Sequence, residues 1–168
     1  SSNSIGPAAR FCLKAIARKA HVILMNAEVD LVLGPYLQHM AKQQGVVVTS
    51  DAGDQHGVLM RMIDEIEMWG FDIVQAGNIK GFLDRYATAD SKREIAKQLK
   101  LDLTQCVAYT DGTKLNIEMA LIANAANLTP YVKGMQGPEA SDVTQALDLF
   151  DFNAYGKQGR VDYILGAQ

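Results

Sequence analysis

Apolar residues recur along the chain in two alternating rhythms, one of period 3.6 and one of short continuous runs. Residues 7–19 read as a helix, with Lys14, Arg18 and Lys19 toward the C-terminal end, where the macrodipole favours cations. Residues 21–25 form a short apolar run, predicted as a strand. Val29, Val32, Leu33, Tyr36, Leu37 and Met40 follow helical spacing, and Gly45 closes that helix. The β-branched run 46–49 predicts a second strand. A third helix is marked by Val58, Leu59, Met62, Ile63, Ile66 and Trp69, with Arg61, Asp64, Glu65 and Glu67 largely on its other side and Gly70 at its end.

The rhythm continues beyond Gly70. Residues 71–76 are predicted as a strand, with 77–81 its exit loop and 82–90 irregular. Ser91 is read as the cap of a charged helix through Leu99, and 106–109 as a strand. Asp111 is read as the cap of a long helix carrying Leu115, Met119, Ile122 and Ala126. With Ile117 and Leu121 on other faces, that helix is apolar nearly all round and is expected to be largely buried. Residues 128–160 are loop-rich apart from a short helix at about 142–149, and 161–165 reads as a final strand. Strands alternating with helices predict an α/β fold with an at least partly parallel, mixed sheet.

Three polar clusters follow strand-like runs: Asp51-Ala52-Gly53-Asp54-Gln55-His56-Gly57, Gly77-Asn78-Ile79-Lys80-Gly81 and Asp111-Gly112-Thr113-Lys114. Glycine beside charge at a strand end lets backbone and ligand approach closely, which points to a pocket for a polar, anionic small molecule. Lys80 is suited to binding a phosphate or carboxylate, or to polarising a carbonyl oxygen, and equally to being a lysine in a surface turn. Lys114 falls in a first helical turn, where the dipole disfavours a cation unless an anion meets it. Glu118, one turn on, is placed to pair with it. Asp111 serves either as a cap or in the site. Asp51 and Asp54 could hold a divalent metal, orient a lysine, relay protons, or simply close a turn. His56 is a weak candidate, and His21 and His39 fit patterned elements. Asn26 and Glu28 lie at the edge of the first strand, where open α/β sheets bind ligands, or are a cap and a first-turn acid.

Composition narrows the classes. The 168 residues carry a net charge of -3, so no strong field favours nucleic acid. No apolar run approaches a membrane span, and no signal peptide opens the chain, which favours a cytoplasmic setting. Cys12 and Cys106 lie far apart in apolar patterns and read as buried free thiols of a reducing compartment. No glycine-rich dinucleotide fingerprint and no phosphate-binding P-loop occurs, so any dinucleotide would find most of its cradle outside this chain. Ser1-Ser2-Asn3-Ser4 reads as a tag remnant or a loop, and the whole as a piece of a longer protein.

The chain resembles the homoserine dehydrogenase-like oxidoreductases, and among them the second type of deoxyxylulose-phosphate reductoisomerase, often associated with a SAF-type domain. The resemblance rests on 25–30, 51–57, 76–81, 111–114, 134–139 (Gly134-Met135-Gln136-Gly137-Pro138-Glu139) and 161–167. It implies the end of a Rossmann-like unit over 1–50, and a catalytic, substrate-binding and dimerisation domain over 51–168. It implies NAD(P)H as cofactor, a small polar, phosphorylated carbonyl substrate, a homo-oligomer and room for a divalent metal. Lys80, Lys114, Asp111 and Asp54 would be catalytic. Asp51, Gln55 and Asn78 would contact substrate, and Asn26 and Glu28 the cofactor. A non-catalytic metabolite-binding or dimerisation module is the alternative, and a lyase using Lys80 as a Schiff base is a third.

Overall fold

The structure, a computed structural model, describes residues 4–167, so most of the Ser1–Ser4 segment lies outside the described residues. The chain divides into two units, Ser1–Met62 and Ile63–Gln168. The first contains α1 (Ile5–Ala17), β1 (Val22–Leu24), α2 (Ala27–Gln44) and β2 (Val48–Ser50), and α3 (Gln55–Met68) runs across the division. β1 and β2 pair in parallel, with Val22 opposite Val48 and Leu24 opposite Ser50. Parallel neighbours need a crossover, which α2 supplies. α2 starts at Asn26, whose Oδ1 accepts the Val29 N–H at 2.9 Å, and ends at Gly45 in the left-handed region, φ 68°. It continues through Pro35, with Val29 and Leu37 buried on either side. Cys12 and Ile16 from α1, Leu24 from β1, and Val29, Leu37 and Ala41 from α2 form the core of this unit. Each large aliphatic removed from water there contributes about 1.5–3 kcal/mol.

The second unit contains β3 (Gln75–Lys80), α4 (Ala89–Gln98), α5 (Leu103–Thr110), α6 (Thr113–Ala125), β4 (Thr129–Pro130), α7 (Ala146–Leu149) and β5 (Arg160–Leu165). β5 is the central strand, between β3 and β4, and both pairings are parallel. Val161, Asp162, Tyr163 and Ile164 are buried in succession, as expected of a strand covered on both faces. α6 packs across β3 and β5. Ala140, Phe150, Tyr155, Ile164 and Ala167 form a core cluster beside the sheet.

The α/β architecture is the one the hydrophobic rhythm predicts, but several local expectations need correction. In place of a mixed sheet, the strand pairings among the described residues are parallel. The third strand occupies Gln75–Lys80 rather than 71–76, so the motif expected to be an exit loop is itself the strand. Pairing with β5 decides this, and Gly77 permits it, since a Cβ there would lie 3.2 Å from the Asp162 carbonyl oxygen. Residues 106–109 are helical within α5, because Asp102 caps that helix by accepting the Gln105 N–H. A four-residue apolar run carries no period of its own. Thr88, not Ser91, is the N-cap of α4, and Ser91 is its capping-box partner. Gly112, not Asp111, is the N-cap of α6. That helix buries Leu115, Glu118, Met119 and Ile122, while Ile117 and Leu121 are half-buried, so it is less enclosed than its composition suggests. No described helix is long and apolar enough to cross a membrane.

Gly137 has φ 59°, and a Cβ there would fall inside the Tyr163 ring, which a buried side chain cannot vacate. Gly137→Ala should therefore cost about 2–4 kcal/mol, read as a lowered urea midpoint; an unchanged midpoint would refute the packing described. A second prediction concerns pH. The Lys92 ammonium lies 2.9 Å from Asp84 and holds its carboxyl below the ordinary range. A depressed carboxyl stabilises the fold above its unfolded pKa, and that contribution fades as acid protonates it. Asp84→Asn should melt lower than the native protein near pH 7, with the difference closing toward about pH 3. A difference that is constant across that range would contradict it.

Candidate functional site

Strand alternation puts Asn78 and Lys80 on one face of β3, and helical spacing puts Lys114 and Glu118 one turn apart on α6. The two elements converge on the Glu118 carboxylate. Its Oε2 accepts a hydrogen bond from Asn78 Nδ2 at 3.2 Å and lies 3.7 Å from Lys80 Nζ. Its Oε1 lies 3.6 Å from Lys114 Nζ. Glu118 is only 2% exposed, while the Lys80 and Lys114 side chains keep 20% and 14% of their surface. A buried carboxylate is costly unless paired, and here two cations and an amide compensate it. At these separations the lysines are ion-paired rather than tightly hydrogen-bonded to Glu118. The cluster brings two ammoniums to one carboxylate, an arrangement able to meet an anionic group or an oxygen gaining charge.

The adjoining strand adds a second polar layer. Tyr163 lies opposite Asn78 in the β3–β5 register, and its hydroxyl accepts from Arg85 Nη2 at 2.8 Å. That contact raises the guanidinium pKa further. Asp162 Oδ1 accepts the backbone N–H groups of Gln136, Gly137 and Tyr163 at 2.8, 3.1 and 2.9 Å. Its Oδ2 is buried with no hydrogen-bond partner. Burial pushes the Tyr155 phenol up to about 12, with the Asp162 charge adding to it, so Tyr155 holds its proton at neutral pH. Sequence reasoning gave no role to Arg85 or Asp162. The available signal was two charges, Arg160 and Asp162, inside an otherwise apolar strand run.

The other sequence candidates take turn-building positions. Asp111 Oδ1 accepts the Thr113 N–H at 2.8 Å and shapes the α5–α6 turn. In the first unit, Asp51 Oδ1 accepts from Gly53 and Asp54, and Asp54 Oδ1 accepts from the Gln55 N–H at the start of α3. Gly57 closes this turn, since a Cβ there would lie 2.3 Å from the Asp51 carbonyl oxygen. His56 is buried, with Nε2 2.6 Å from Ser50 Oγ and Nδ1 3.8 Å from Asp54 Oδ2. Sequence reading passed over Ser50, whose strand-end position six residues before His56 was the available cue. His21 accepts from the Val47 N–H and His39 bonds Gln43. Cys12 and Cys106 are buried free thiols. Among the described residues, no three His, Cys, Asp or Glu side chains gather as metal ligands.

Asn26 and Glu28 sit at the β1–α2 turn, Asn26 as the cap and Glu28 in the first turn. The turn has no glycine, and the Asn26 side chain takes the Val29 amide that would otherwise face an anion.

Residues 53–168 match the profile of the family described as oxidoreductase DRL, catalytic domain. The chain belongs to this family, and its second unit lies wholly within the matched residues. Among curated proteins, none matches the chain.

Removing the carboxylate takes away the buried partner that the Lys80 and Lys114 ammoniums and the Asn78 amide share. Glu118→Ala should therefore lose about 2–4 kcal/mol of stability, and Glu118→Gln less, because the amide still accepts from Asn78. Denaturant unfolding reads this directly, and an Ala variant as stable as the parent would contradict the compensation described.

Proposed function

We propose that this oxidoreductase domain binds the charged end of a small polar, phosphorylated carbonyl compound and assists reduction of its carbonyl. Support comes from one observation above the rest: Lys80 and Lys114 converge on a single buried carboxylate, Glu118, at the edge of a parallel sheet. As the carbonyl carbon is reduced, negative charge gathers on its oxygen. An ammonium held in a partly dry site stabilises that oxygen and donates a proton to it. Glu118 fixes the spacing of the two ammoniums, and Asn78 fixes the orientation of Glu118. Asp111 acts through the turn that sets Lys114 at the start of α6. NAD(P)H would supply the hydride when bound, with most of its cradle outside the described residues. The finer assignment follows the sequence resemblance, to a homoserine dehydrogenase-like or reductoisomerase-like enzyme working as a cytoplasmic homo-oligomer.

A screen of aldehyde and ketose phosphates, followed by nicotinamide absorbance, would identify the substrate of the intact enzyme. Lys80→Met and Lys114→Met should then each lower turnover by at least about a hundredfold, with the circular dichroism spectrum unchanged. Native turnover in either variant removes that lysine from the reaction.

A further inference from the structure

Ser50 closes β2 at the carboxyl end of the β1–β2 pair, opposite Leu24, where parallel sheets place reactive groups. The chain then turns through 51–54 into α3, which carries His56 in its first turn. The turn folds tightly back on itself. Asp51 Oδ1 accepts the Gly53 and Asp54 N–H groups, and Gly57 lies so near the Asp51 carbonyl oxygen that no Cβ would fit there. This fold returns the His56 ring to the strand end, with Nε2 2.6 Å from Ser50 Oγ.

The two ring nitrogens meet different surroundings. Asp54 is held by its Oδ1, which accepts the Gln55 N–H at 2.9 Å, and its Oδ2 stands 3.8 Å from His56 Nδ1. Nδ1 itself is buried without a hydrogen-bond partner. A carboxylate on that side favours the tautomer with its proton on Nδ1, which leaves the Nε2 lone pair facing the Ser50 hydroxyl. Ser50 Oγ also lies 3.5 Å from the Leu24 carbonyl oxygen, but the contact to His56 is far shorter and takes the hydroxyl proton. The imidazole is buried while Ser50 is only half-buried, so the base is shielded from water and the hydroxyl stays within reach of a reagent. A hydroxyl bonded to a base that a third group orients is the arrangement that makes serine nucleophilic.

From this geometry we propose that Ser50 is a nucleophile, with His56 its general base and Asp54 the residue that positions the imidazole, forming a second reactive centre that cleaves small neutral carboxylic esters. The lysine cluster, whose residues lie in the other unit, takes no part. Ser50 Oγ attacks the ester carbonyl carbon as its proton passes to His56 Nε2. The Oγ–C bond forms, the bond from that carbon to the alcohol oxygen breaks, and the departing alkoxide takes the proton from Nε2. Water then repeats the exchange, releasing the acid and restoring the Ser50 hydroxyl. The Asp51 and Asp54 carboxylates at this turn repel anions, which is why the ester is neutral.

Phenylmethylsulfonyl fluoride, a neutral reagent, traps such a serine: the Oγ–S bond forms, fluoride leaves and the proton passes to His56 Nε2. Peptide mass spectrometry of the intact protein should find the adduct on Ser50 at least about a hundredfold faster than on Ser91 or Ser141, two exposed serines. Unfolding in urea should abolish that preference. His56→Gln should slow the Ser50 reaction about a hundredfold, and Asp54→Asn about tenfold. Asp54→Asn keeps the oxygen that accepts the Gln55 N–H and loses only the charge, so its circular dichroism spectrum should be unchanged. Hydrolysis of p-nitrophenyl acetate should fall in step, through kcat rather than KM, and vanish in Ser50→Ala. A native Ser50 that reacts no faster than Ser91, or a Ser50 rate unchanged in both His56→Gln and Asp54→Asn, would overturn the proposal.

Discussion

A carboxylate taken out of water must find opposite charge and hydrogen-bond donors, and Glu118 makes this demand on two elements at once. β3 answers with Asn78 and Lys80, and α6 with Lys114 from the same helix. The demand fixes how α6 lies on the sheet, because shifting the helix by one residue would carry Glu118 off the β3 face. The groups that make Glu118 tolerable in the interior are two ammoniums and an amide gathered at a sheet edge.

The surrounding structure makes that edge rigid. β5 contributes two adjacent side chains that reach out to loops, Asp162 to residues 136–137 and Tyr163 to Arg85. Gly137 allows the first loop to close over the Tyr163 ring. The loops are therefore held by buried polar groups of the central strand rather than by their own sequences. Hydrogen bonds to buried side chains of this kind fix the geometry of the loops that make them.

Much of this was legible in the sequence because long elements carry their own period. α2, with six apolar positions at helical spacing and Gly45 at its end, could be read nearly to the residue. Short elements could not. The run 106–109 fits helix and strand equally, and only the Asp102 cap decides. Gly77-Asn78-Ile79-Lys80-Gly81 looked like a loop for its glycines, yet one glycine is what lets β3 approach β5. Lys80 stood out because the glycines around it let a ligand approach closely, and Lys114 because a cation in a first helical turn opposes the dipole. Glu118 carried no such mark, since on a helix it reads as one half of an ordinary ion pair. Its burial depends on Asn78 and Lys80, forty and thirty-eight positions away, and no local pattern encodes that distance.

The sheet order has a kinetic consequence. β5 joins β3 to β4, so pairing Thr129 with Arg160 closes a span of 31 residues, while pairing Gln75 with Arg160 must close 85 before β3 gains its ladder. Such remote contacts are slow to form, since chain entropy is lost before the hydrogen bonds repay it. The pairs α4–α5 and α5–α6 pack as sequence neighbours and can assemble early, whereas the Glu118 cluster needs α6 docked on β3.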